Sequence, residues 1–106
     1  MGQPRKRGQR IAPKVVLVYF AGCPHVQTAR KRLRSALIAM DLVIEWTEWD
    51  TFQMATPTEL RGFGSPTVFV DGQEVMGGRP GIGMACSVAG APSFEILVAA
   101  LNTRGP

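Results

Sequence analysis

The chain has 106 residues, 45% of them hydrophobic, and 12 Lys and Arg stand against 8 Asp and Glu for a net charge of +4. That length suits one domain with one core, the composition excludes wholesale disorder, and no apolar run approaches the ~20 residues of a membrane-spanning helix. The charge is local: Arg5, Lys6, Arg7 and Arg10 fall in the first ten residues with no acid among them, and the basic and acidic residues of the remainder cancel.

Residues 1–12 are polar and basic without a hydrophobic period, and they read as a disordered tail before a domain spanning 13–104. Four charges without interleaved aromatics define no specific nucleic-acid site. The basic start and the apolar stretch before Cys23 imitate a lipoprotein signal. Lys14, however, leaves only about six continuous apolar residues where a signal needs roughly 7–15. A cytoplasmic protein without membrane contact is the expectation.

Residues 14–20 are apolar and rich in β-branched side chains, as a strand buried on both faces requires. Pro24 suits the first position of a helix, where its missing N–H costs nothing. Val26, Ala29, Leu33, Ala36, Leu37 and Met40 follow at spacings of three and four, which predicts one apolar helix face. Arg30, Lys31, Arg32 and Arg34 read as its solvated face. Residues 42–49 alternate loosely and predict a second strand at an edge, with Trp46 and Trp49 as sheet packing. Residues 57–61 allow a short helix. Two strands, 67–70 and 73–76, flank Asp71-Gly72, a favoured hairpin turn, and a last helix begins near Pro92 with Phe94, Leu97, Val98 and Leu101 on its apolar side. A parallel βαβ unit followed by a ββα unit predicts an α/β fold: a four-stranded mixed sheet with helices on both faces, in three layers.

Cys23 falls where the first strand hands over to the helix. Unpaired N–H groups and the positive end of the helix dipole favour a thiolate there, the form that attacks disulfides and binds soft metals. His25, the single histidine, stands beside it, either as a donor to that sulfur or turned to solvent.

Element order and motifs together resemble the thioredoxin-fold superfamily, and within it the glutaredoxins. Cys23-Pro24-His25-Val26 stands where that family has its C-x-x-C or C-x-x-S element. Gly64-Ser65-Pro66-Thr67 resembles its cis-proline segment, and Asp71-Gly72 with Gly77-Gly78 resembles the glutaredoxin hairpin and its paired glycines. The resemblance implies a thioredoxin-like fold with Pro66 cis beside Cys23. It also implies substrate contacts at Pro24, Ser65, Pro66, Thr67, Gly77 and Gly78. Two departures matter. Val26 holds the resolving-cysteine position, and Arg79-Pro80 stand where an acid usually receives the glutathione amine. No cofactor is required on this reading, and glutathione lacks its usual contact.

Cys86 is the only other cysteine. It reads equally as a thiol that resolves a mixed disulfide at Cys23 and as a small buried residue before the last helix. The chain lacks a full tetrahedral zinc set, so no metal site is expected unless Cys23 and Cys86 together hold a soft ion or an organomercurial. Three functions therefore stand. The first is disulfide exchange with Cys23 as nucleophile, aided by His25, acting on a disulfide-containing protein or small thiol and resolved by Cys86 or an external thiol. The second is soft-metal binding by the two thiols. The third is a redox-silent domain that holds a peptide or partner.

Overall fold

The computed structural model describes residues 13–77 and 91–102. The basic tail, Gly78 and Cys86 lie outside those residues. The elements in order are β1 (Val15–Tyr19), α1 (Val26–Ala39), β2 (Thr47–Asp50), a 3-10 turn (Thr58–Leu60), β3 (Thr67–Val70), β4 (Gln73–Glu74) and α2 (Phe94–Asn102). The strands form one sheet in the order β2-β1-β3-β4. β1 runs parallel to β2 and antiparallel to β3, which pairs antiparallel with β4. Among the described residues the fold is α/β with a four-stranded mixed sheet and two α-helices, and β1 lies inside the sheet with β2 at one edge.

The alternation of strand side chains assigns each face its own core. Leu17 is opposite Val68 and Val16 is opposite Phe69. Val15, Leu17, Val68 and Val70 pack with Ala29, Leu33, Ala36 and Leu37 of α1 and with Leu97 and Leu101 of α2. Leu17, Leu33, Leu37, Leu97 and Leu101 are fully buried there, each worth about 1.5–3 kcal/mol of apolar transfer. Val16, Val18 and Phe69 face the other way, against Trp49, Leu60 and Phe63.

The expectation of helices on both faces is met only unevenly. Among the described residues both α-helices pack on one face of the sheet. The other face is covered by the β2–β3 connection, whose only helical part is the 3-10 turn Thr58–Leu60. The connection is too short in apolar period to build more than one turn, so its cover is a few side chains, with Phe63 set edge-on to Phe69 at 4.9 Å between ring centres.

Two boundaries also move. The second strand begins at Thr47, because Leu42 is taken up in ending α1. Asp41 adopts a left-handed conformation (φ 57°), its N–H donates to the Ile38 carbonyl at 3.0 Å, and the Leu42 N–H donates to the Leu37 carbonyl at 2.9 Å. This is a Schellman ending closed by the buried Leu37 and Leu42. Val43 and Ile44 are exposed as the chain crosses to the sheet edge. At the other end of α1, Pro24 lies in the turn before the helix rather than in its first position, and His25 is the N-cap. The hairpin turn is as expected, with Asp71 (φ 51°) and Gly72 (φ 85°) both left-handed, though β4 stops at Glu74.

The basic face of α1 is not simply solvated. Arg30 clasps Glu48 of β2 with two hydrogen bonds, Nε to Oε2 at 3.0 Å and NH2 to Oε1 at 2.8 Å, and lies over the Tyr19 ring. Arg32 donates to the carbonyls of Ala91 and Pro92 at 3.0 and 3.3 Å, tying α1 to the start of the α2 segment.

Candidate thiol site

The site is built where β1 ends. Leaving Tyr19, the chain makes a tight turn in which the Cys23 N–H donates to the Phe20 carbonyl at 3.3 Å. Gly22 occupies the third position with φ 91°, the left-handed geometry a type II turn requires of that residue. A second turn follows, closed by the Val26 N–H on the Cys23 carbonyl at 3.4 Å, and α1 begins. Cys23 is thereby swung inward, where it is 8% exposed.

Ser65, two residues before the neighbouring strand β3, meets it there. The Cys23 sulfur donates to the Ser65 carbonyl at 3.5 Å. The Ser65 hydroxyl accepts the Phe20 N–H at 3.2 Å. One residue thus satisfies a backbone donor at the end of β1 and receives the thiol of the turn beyond it. The Ser65-Pro66 peptide bond is cis. Ser65, Pro66 and Thr67 are buried, and the Thr67 hydroxyl donates to the Gly64 carbonyl at 2.7 Å, stiffening the segment as it enters β3.

The residues named from sequence separate accordingly. Cys23, Ser65, Pro66 and Thr67 come together. Pro24 is exposed next to Cys23, and His25 is half-buried with no side-chain capping bond. Val26 is buried at the start of α1, packed rather than presented. Beyond β4 the Val75 N–H donates to the Val68 carbonyl at 3.0 Å, and a turn closed by the Gly77 N–H on the Glu74 carbonyl at 3.3 Å follows. Gly78 and Cys86 fall outside the described residues. Among the described residues no three His, Cys, Asp or Glu side chains stand together as metal ligands.

The loop after β2 lies at the same end of the sheet. β2 ends beside β1, and the Thr51 N–H donates to the Tyr19 carbonyl at 2.7 Å. Phe52 then stands against Phe20, ring centres 5.4 Å apart, and is 53% exposed, while Met54 is 93% exposed. The loop is held by Arg61, whose guanidinium donates to the carbonyls of Gln53, Met54 and Thr56 at 2.7, 2.9 and 3.0 Å. The available signal was positional: apolar side chains directly after a parallel strand lie where α/β sheets gather their ligands.

A separate groove of about 680 Å³ opens on the face that lacks α-helices, lined by Val16, Trp49, Leu60, Phe63 and Phe69 with Lys14 and Glu59. It contains neither Cys23 nor Ser65, and it follows from the thin cover on that face. No protein-family model, curated protein or solved structure matches the chain.

Proposed function

We propose that this chain is a thioredoxin-fold thiol protein in which Cys23 carries out disulfide exchange. The observation that carries the reading is the position of Cys23: at the carboxyl end of β1, in the turn opening α1, with its sulfur against the Ser65 carbonyl just before Pro66. A cysteine serving only as core filling has no need of a glycine-dependent turn or a polar backbone partner. The strand order β2-β1-β3-β4, with β2 parallel to β1 and β3 and β4 antiparallel, supports the same reading.

In the exchange the Cys23 thiol gives up its proton and the sulfur attacks one sulfur of the substrate disulfide. A bond forms between Cys23 and that sulfur, the substrate bond breaks, and the second sulfur leaves as a thiolate that takes up a proton. A second thiol, external or Cys86, then attacks the Cys23 sulfur. The substrate departs reduced by two electrons, and the two attacking thiols are left joined as a disulfide.

The test is turnover of a peptide disulfide by added dithiol, with wild type, Cys23→Ser and Cys86→Ser compared. Wild type should accelerate the reaction and Cys23→Ser should abolish the acceleration. Accumulation of a mixed disulfide at Cys23 in Cys86→Ser, read by mass, identifies Cys86 as the resolving thiol. Undiminished turnover by Cys23→Ser overturns the reading.

A further inference from the structure

Resting on that exchange reading, we infer that the Phe20–Phe52 pair is a selectivity element that favours disulfides flanked by an apolar or aromatic side chain over anionic ones such as glutathione disulfide. The rings stand at the adjacent carboxyl ends of β1 and β2, the same end of the sheet as Cys23. Phe20 is joined to the thiol site twice, through its carbonyl to the Cys23 N–H and through its N–H to the Ser65 hydroxyl. Phe52 leaves half its surface to solvent and Met54 almost all of it. Exposed apolar residues scattered singly need no explanation, but Phe52 is set against the half-buried Phe20, whose backbone is bonded to both Cys23 and Ser65, and the pair puts apolar surface beside the thiol turn.

The polar groups of the rim point the same way. An anionic substrate needs cations, and among the described residues two guanidinium groups near this end of the sheet are engaged. Arg30 is clasped by Glu48, and Arg61 is held on three carbonyls. The acid at this edge, Asp50, repels a carboxylate, and its Oδ1 accepts the Phe52 N–H at 2.9 Å. That bond, with the Arg61 clamp, fixes the backbone that presents Phe52, so the ring is held in place before a substrate arrives.

The experiment measures mixed-disulfide formation at Cys23 with two short peptide disulfides, one carrying Phe and one carrying Asp next to its cysteine, and with glutathione disulfide. Wild type should react with the Phe peptide about tenfold faster than with the other two, the size that partial burial of one aromatic ring supports. Phe52→Ala should bring the three rates within about twofold of one another, while alkylation of Cys23 by a small neutral haloacetamide stays unchanged. Equal rates in wild type, or a preference that survives Phe52→Ala, overturns the inference and leaves exchange at Cys23 standing. Failure of all three disulfides to react overturns the exchange reading and this inference with it.

Discussion

The Cys23 sulfur and the Ser65 carbonyl meet at 3.5 Å although 42 residues of chain separate them. The contact spans the connection from β1 to α1 and the entry to β3, so the thiol is positioned by two segments with no local reason to meet. The hydroxyl of the same serine receives the Phe20 N–H, which makes Ser65 the joint on which the turn rests.

Removing that hydroxyl tests the joint. Ser65→Ala leaves a half-buried N–H without its acceptor, and a loss of about 1–2 kcal/mol in denaturant unfolding is expected. Because the turn is then less firmly held, haloacetamide alkylation of Cys23 should also become faster. Unchanged stability and unchanged alkylation would show that the turn is held elsewhere.

Gly22 tests the turn from its backbone. A Cβ added there meets nothing within 4 Å, so any cost comes from the φ of 91° and not from crowding. Gly22→Ala should destabilise by about 1 kcal/mol or somewhat more, and Ala21→Gly, at an exposed neighbour, should cost less. Equal effects at the two positions would argue against the left-handed turn.

The Arg30–Glu48 clasp carries a pH dependence. Burial pushes the Glu48 carboxyl up, but hydrogen bonds from Arg30 and Trp46 and the charge of Arg30 outweigh it and hold it below its ordinary 4.5. The hydrogen bond with Glu48 in turn raises Arg30. A carboxyl lower in the folded chain stabilises it above the unfolded-state value, and that contribution is lost as pH falls through the folded value. Glu48→Gln should therefore be less stable than wild type by about 1 kcal/mol at neutral pH. In thermal melts recorded against pH, the gap should narrow as pH falls below the ordinary carboxyl value of 4.5 and close once it is below the lowered folded-state value.

Leu97 tests the packing of α2. It is fully buried between α1 and the sheet, and Leu97→Ala should cost about 2–5 kcal/mol in chemical denaturation. A cost below 1 kcal/mol would mean that α2 contributes little to the core.

What could be read in advance divides by range. The face of α1 follows from residues three and four apart, and the turn at Asp71-Gly72 follows from two adjacent residues that tolerate left-handed backbone; both are local. Cys23 and Pro66 were recognisable by position in the chain. The roles of Arg30 and Arg32 were not, because their partners Glu48, Ala91 and Pro92 lie on other elements and a charge on a helix surface looks alike with or without them. Phe52 carries no such signal, because a loop has no period that marks an exposed apolar residue as out of place. The unevenness of the layering was not legible for a related reason. An element's pattern tells that it has a buried face, but not which side of the sheet receives it.

That uneven layering sets an order of opening. On one side of the sheet two α-helices interlock through fully buried leucines. On the other, a connection with a single 3-10 turn rests on Val16, Val18 and Phe69 through Leu60 and Phe63, beside Trp49 of β2. Regions with few buried apolar contacts open at low free energy without global unfolding. Backbone amides of residues 51–63 should therefore exchange with solvent deuterium well before those of α1. The same connection presents Phe52 and Met54, so occupancy of the rim should register as slowed exchange there while the helical side stays as it was.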